Sequence, residues 1–241
     1  MNTQLNKTIS PADLKLPEVK QAAGNLSGFA RRLWWKGVPF AVNGVLKRRW
    51  RIRWNKQWEY ARGLAYGGFQ PGHRVLDLGG GGTIPLFYLA KLGCEVRSLD
   101  INADLTAHTN RVAKQMGWPL VGSTHDLTAQ PAPADWGTFD RIISFCVIEH
   151  IPKALQSVVL ERLAKLLKPG GTFELTFDYG TTAPVEGAIR SPEEVRELVA
   201  ATGLTLRGDG QFHDTGERFV LDKKYPTHAF TFGSVFLGKA G

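Results

Sequence analysis

The sequence predicts an α/β chain: a doubly wound, Rossmann-like, seven-stranded and mostly parallel sheet with an antiparallel edge strand, preceded by an N-terminal helical lid. Three observations predict it. From Pro71 onward, short apolar runs alternate with longer runs at helical spacing, the pattern of βαβ units. One of these runs leads into four consecutive glycines, Gly79 to Gly82, and then into a helical pattern. The last two strand-like runs are separated by a long polar loop and read as a hairpin-like pair at a sheet edge.

The elements follow in order. Residues 1–28 are polar, with Pro11 and Pro17, and read as a loose arm holding at most a short helix. Residues 29–66 are basic and aromatic and read as helical, with a break around 37–39. Strands are expected at 73–78, 94–101, 120–124 and 141–147, with helices at 84–92 and 103–116 between them. Pro152 suits a helix first turn, and Leu155, Val159, Leu163 and Leu166 make one apolar face. Lys168-Pro169-Gly170-Gly171 ends that helix, and a fifth strand is expected at 172–177. Ser191, Pro192 and Glu194 form a capping box for a helix that turns Val195, Leu198 and Val199 inward. Strands at 204–206 and 230–237, joined by the loop 207–228, complete the sheet. The expected division is a lid at 1–66 and a sheet domain at 67–241.

Composition bounds the function. The chain has 241 residues, 43% of them hydrophobic, enough for a full core. No uncharged apolar run is long enough to span a bilayer, and the first twenty residues lack a signal-peptide core. Two cysteines, Cys94 and Cys146, in apolar settings argue against a disulfide framework or a zinc site, so a reduced cytoplasmic protein is expected. The net charge is +8 and it is concentrated. Residues 31–62 hold ten Lys or Arg against one acid, Glu59, and five of the seven tryptophans lie in 29–66. An anionic partner is expected.

The sharpest signal is Asp77-Leu78-Gly79-Gly80-Gly81-Gly82-Thr83 after a buried strand. Glycines let backbone approach a ligand closely, and a helix end supplies free N–H groups. Gly-Lys-Ser/Thr is absent, which excludes a phosphate P-loop. The dinucleotide spacing fails because Ile84 or Pro85 stands where its last glycine belongs. What remains resembles the first motif, D/E-x-G-x-G-x-G, of class I methyltransferases dependent on S-adenosylmethionine (SAM), with Thr83 at the third glycine. Asp100 follows at the end of the next strand, His125-Asp126-Leu127 after the third, the run 139–152 containing Glu149-His150-Ile151-Pro152 after the fourth, and Lys168-Pro169-Gly170-Gly171 before the fifth. All five stand in the family's order over most of 71–240.

That resemblance implies SAM as cofactor. It implies a cradle of Asp77, Gly79, Gly80 and Gly81, with Asp100 accepting the ribose hydroxyls beside Ile101. Asp126 and Leu127 fall on the adenine side, and Cys146 near the adenosyl group. Glu149 and His150 follow the fourth strand close to the expected methyl position. His150 is the candidate base for a hydroxyl acceptor, with bracing of the loop as the alternative for this pair. His213, in the long loop on the family's substrate side, is a further candidate acid, base or substrate contact. No dedicated metal spacing occurs, and no metal is expected.

The expected reaction is O- or N-methylation of a small metabolite, sugar-containing, lipid-linked or otherwise anionic. Trp58-Glu59-Tyr60-Ala61 and residues 225–233 are similar to stretches of small-molecule and sugar-modifying methyltransferases. The interleaved Arg and Trp of 31–62 fit a lid with a basic face, and also two other partners, RNA and a membrane surface. The second reading is therefore an RNA methyltransferase gripping through that segment, although residues 146–149 lack the Asn/Asp-Pro-Pro-aromatic pattern of many base N-methyltransferases. The third is a non-catalytic SAM-binding scaffold, against which Asp77 and Asp100 count.

Overall fold

The computed structural model describes residues 4–221 and 224–239. In chain order the elements are β1 (Lys7–Thr8), a 3₁₀ turn (Pro11–Lys15), α1 (Pro17–Trp35), β2 (Phe40–Val42), β3 (Val45–Lys47) and α2 (Trp54–Tyr66). There follow β4 (Arg74–Leu78), α3 (Ile84–Lys91), β5 (Glu95–Asp100), α4 (Ala103–Met116), β6 (Leu120–Thr124), β7 (Phe139–Phe145) and α5 (Lys153–Lys165). The last are β8 (Leu167–Tyr179), α6 (Pro192–Thr202), β9 (Thr205–Leu206) and β10 (Thr231–Gly238). Every strand and helix expected beyond Pro71 is present, within a few residues at its ends. Contacts divide the chain into two units, one of Pro11–Asp126 and one of Met1–Ser10 with Leu127–Gly241.

In the first unit β4, β5 and β6 are parallel neighbours, with Asp77 opposite Ser98 and Asp100 opposite Thr124. From Val75 to Leu78 β4 is buried on both faces, as a parallel strand covered by helices must be. Asn102 caps α4 by accepting from the N–H groups of Asp104 and Leu105, and Gly117 ends it in the left-handed conformation.

The N-terminal part of this unit differs from the expectation in two ways. Residues 17–35 form one long helix, so 17–28 are not the loose arm expected there. Pro17 occupies its first turn, and Val19, Ala23, Leu26, Phe29 and Leu33 recur at helical spacing on a buried face. The polar and small residues between them hide that stripe from a composition reading. Residues 37–53 are not a simple helix break. They hold a β-hairpin, β2 paired with β3, turning at Asn43 and Gly44, both with positive φ. Asn-Gly between apolar runs is the strongest local signal for such a turn, since both central residues must take left-handed dihedrals.

Part of the basic and aromatic segment is interior. Trp58 is fully buried and donates from Nε1 to the Asp13 carboxylate at 2.9 Å. The buried Arg62 guanidinium meets the same oxygen at 3.3 Å and lies over the Trp58 and Tyr66 rings. A buried cation needs such a partner, and Asp13 supplies it.

In the second unit β7 and β8 are parallel, and β10 runs antiparallel to β8 with Phe232 opposite Asp178. β10 also takes β9 and β1 as antiparallel neighbours. The 204–206 and 230–237 pair is therefore as expected, and the sheet is mixed with antiparallel edge strands. β1 was invisible in the sequence because two residues carry no periodicity. Lys168 to Gly171 both follows a helix end and belongs to β8, which begins at Leu167 instead of 172. Gly170, with φ +72°, accommodates the irregular start, where the register against β7 shifts between Phe139 and Arg141. Ser191 caps α6 by accepting from the Glu194 N–H.

Candidate functional site: the glycine loop and the turn after β7

The first unit brings Asp77, Gly79, Gly80, Gly81 and Asp100 together. Asp77 lies at the end of β4 and is 1% exposed. Its carboxylate accepts from the Gly80 N–H at 3.1 Å and from Ser98 Oγ at 2.7 Å. Asp100, at the end of β5, accepts from the N–H groups of Gly81 (3.1 Å) and Asn102 (2.8 Å). The two carboxylates thus brace the loop from both sides. A Cβ at Gly80 would collide with the Asp77 carboxylate, and one at Gly81 would lie 2.7 Å from Asp100 Oδ2. Gly79 and Gly82 have φ of +71° and +72°. The loop opens into α3, whose N-cap Thr83 makes no side-chain cap bond. Ile101, beside Asp100, is 75% exposed, and Asp126 is exposed at the end of this unit.

Burial holds the Asp77 carboxyl far above the usual carboxylate range, and the negative Asp100 adds to it, against the lowering bonds from Ser98 and Gly80; the result is a value of about 7. The unfolded chain releases that proton near 4, so between about 4 and 7 the folded state binds more protons. Stability is expected to fall as pH rises through this window and to level off above it. Melting temperatures against pH check this: Asp77→Asn should remove the slope, and an unchanged slope would exclude Asp77 as its source.

The second unit brings Cys146, Glu149 and His150 together in one turn after β7. Cys146 has φ +52°, a conformation rare outside glycine and frequent where function imposes strain. Its N–H is held by the carbonyl and hydroxyl oxygens of Thr176. Glu149 is 2% exposed, whereas His150 is exposed. Ligand-type atoms of Cys146, Glu149 and Asp178 lie within 4.8 Å of one another.

Two residues that the sequence reading missed hold this turn. The buried Gln156 amide donates to the carbonyls of Ile148 (2.9 Å), Ile151 (3.2 Å) and Gly187 (2.7 Å). Gly187 packs so close that a Cβ there would strike the Glu149 carbonyl. The only sequence signal for Gln156 was a polar residue beside the apolar face of α5. Leu127 is buried, and its carbonyl accepts from Arg162.

His213 lies apart from that turn's hydrogen bonds. Its Nε2 is 2.6 Å from an Asp209 carboxylate oxygen, and its backbone pairs with β1 through Asn6 and Thr8. Next to it Arg218 grips Asp214 with two nitrogens, at 2.9 and 2.7 Å, and holds its carboxyl down at about 2. Arg218 also lies over the Tyr179 ring, and burial pushes that phenol up to about 12. The long loop is thereby tied to β1 and to Tyr179 at the end of β8; residues 222–223 of it lie outside the described residues.

Residues 75–171, the stretch containing both constellations, match the family described as "Methyltransferase domain". Residues 75–171 thus form a class I SAM-dependent methyltransferase domain. This domain is similar to the ubiquinone biosynthesis O-methyltransferase of Xanthomonas campestris pv. campestris (strain B100), with 32% identity over 133 residues, 54% of this chain and 53% of that protein. The chain thus spans about half the length of the curated relatives it matches. Among solved structures, the magnesium protoporphyrin IX methyltransferase from Synechocystis PCC 6803 with bound SAH shares the fold at TM-score 0.54 and 18% identity, over 75% of this chain and 80% of that one. The [4+2]-cyclase SpnF shares it at TM-score 0.61 and 15% identity, over 90% and 94%.

SAM is the cofactor of this family, and the methyltransferase domain fits it by its own geometry. At Gly80 and Gly81 a Cβ would strike the Asp77 and Asp100 carboxylates, so only glycine lets the loop pack against both acids. Asp100 uses two backbone donors and keeps lone pairs for hydroxyl groups. The α3 end offers N–H groups that no side chain caps. Among the described residues, no helix is long and apolar enough to cross a membrane.

Proposed function

We propose that the chain is a SAM-dependent methyltransferase acting on an oxygen of a small metabolite. The observation that carries this reading is the glycine loop braced by Asp77 and Asp100, in a domain whose curated relatives are O-methyltransferases. The cofactor supplies an electrophilic methyl group on a sulfonium. In the first unit Asp77 shapes the loop, Gly79 to Gly81 form the cradle for the cofactor, and Asp100 accepts the ribose hydroxyls. Ile101 offers an exposed apolar face to the adenine, with Asp126 on the same side. In the second unit Leu127 and Cys146 take the remaining adenosyl contacts.

His150 takes the acceptor hydroxyl proton, and the buried Glu149 helps to hold the turn. Exposure supports this division, since a base must reach the acceptor. His213, tied to Asp209, serves as a substrate contact from the long loop. Residues 1–66 serve as a lid for the domain at 67–241. The Ala41 N–H donates to the Gly82 carbonyl at 2.7 Å, which ties the hairpin to the cofactor loop and supports that role. RNA is less favoured as substrate, because Trp58 and Arg62 of the basic segment are spent in the interior.

His150→Ala tests the reading. SAM affinity by calorimetry should stay within about twofold, while formation of the demethylated cofactor with a phenolic acceptor panel should slow by roughly 100-fold or more. Unaltered turnover would remove His150 as the base, and absence of SAM binding in the parent protein would remove the function.

A further inference from the structure

The first unit contains a pocket that none of the assigned cofactor residues explains. Its wall is formed by the β2–β3 hairpin, the segment leading into α2, and Ile84, the first residue of α3. Four cations line it: Arg49, Arg51, Arg53 and Lys56. Lys56 is paired with Glu59 at 2.8 Å. Arg49 donates from Nε to the Arg51 carbonyl, and Arg51 lies over the Trp50 ring at 5.0 Å. Among the described residues Arg49, Arg51 and Arg53 form no ion pair, so three guanidinium charges stand within five residues with no carboxylate to balance them. Such a concentration repels itself unless an anion is present. Guanidinium groups suit carboxylate and phosphate oxygens through paired N–H donors.

Apart from Asn43 and Tyr60, the remaining lining is apolar: Phe40, Ala41, Val42, Ile52 and Ile84. An apolar wall beside a cationic cluster accepts an amphiphilic anion better than a bare ion or a neutral apolar molecule. The position is informative as well. Ile84 follows the glycine loop directly, and Ala41, another lining residue, is bonded to Gly82. The pocket therefore adjoins the loop assigned to the cofactor.

We propose that the methyl acceptor is a small amphiphilic anion, its carboxylate or phosphate held by Arg49, Arg51, Arg53 and Lys56 and its apolar body against Phe40, Ile52 and Ile84. This rests on the methyltransferase reading for the acceptor role, and on the pocket alone for binding. The hairpin is then the specificity element, with charge selecting the acceptor and the apolar wall orienting it toward the loop.

The test is calorimetry on the full chain with octyl phosphate below its micellar concentration, octyl glucoside and inorganic phosphate, each at low and high salt. Octyl phosphate should bind at one site at least about tenfold more tightly than either fragment-like probe, since both halves of the pocket contribute. Arg49→Gln and Arg53→Gln should each weaken it by about tenfold, and Ile52→Ser should weaken it while leaving inorganic phosphate unaffected. Circular dichroism confirms that the variants fold, and Arg53, being exposed, is the variant least exposed to that concern. Equal affinity for inorganic and octyl phosphate would overturn the pocket in favour of a plain charged patch. Tighter binding of phosphatidylglycerol vesicles or an RNA oligonucleotide, not displaced by octyl phosphate, would overturn it in favour of a macromolecular surface. SAM titrated into the same samples separates the two readings. SAM binding without octyl phosphate binding sinks the pocket alone, and the converse sinks the methyltransferase reading while the anion site stands.

Discussion

Asp100→Ala is expected to weaken SAM binding by roughly 100-fold, about 3 kcal/mol. Two effects combine. The ribose loses a charged acceptor, and charge-assisted hydrogen bonds of this kind contribute about 1.5–3 kcal/mol each. The loop also loses its brace, because the N–H groups of Gly81 and Asn102 both donate to this carboxylate. Asp100→Asn separates the two. It keeps one acceptor oxygen and the side-chain volume, so its loss should be closer to tenfold. Calorimetric affinities for SAM and its demethylated product measure both variants. Unchanged affinity in Asp100→Ala would mean that the end of β5 takes no part in cofactor binding.

Gln156→Leu should destabilise the fold by about 2–4 kcal/mol, read as a shift in the urea midpoint with the slope unchanged. The replacement leaves the carbonyls of Ile148, Ile151 and Gly187 without their shared donor in a buried setting. Its functional consequence follows from position. Those carbonyls flank Glu149 and His150, so the turn loosens while the glycine loop, in the other unit, keeps its own bonds. Turnover should therefore fall by about tenfold or more with SAM affinity retained. A variant that lowers both equally would show a global loss of structure, and an unshifted midpoint would show that water replaces the amide at no cost.

Asp77 illustrates how reading and structure divide. Its place two residues before the first glycine identified the motif. Its partner Ser98 lies 21 positions away and becomes adjacent only through the register of β4 with β5. The raised carboxyl pKa comes from that burial and from Asp100, and neither is visible in a linear spacing. The turn after β7 behaves alike. Glu149 and His150 were readable as a pair, but their opposite exposures were not, nor was the Gln156 and Gly187 clamp.

The basic segment shows a different failure. Residues 31–62 read as one interleaved run of Arg and Trp. The fold sends Trp58 and Arg62 inward to Asp13, and turns Arg49, Arg51 and Arg53 toward a pocket. A charge count cannot make that distinction, because partners such as Asp13 are supplied from 45 or more residues away. The Asn43-Gly44 turn, by contrast, is a local signal in the sequence, set within residues whose wider pattern reads as helical.

Local spacing was sufficient for the α/β alternation, the strand–loop–helix cradle and the order of the motifs, because hydrophobic period, glycine dihedrals and capping act over a few residues. Tertiary packing alone decided which charges are buried and paired, which glycines stand where a Cβ would collide, and that the hairpin reaches the glycine loop. Those are outcomes of contacts between distant segments, and burial, which sets their energies, exists only once the segments have met.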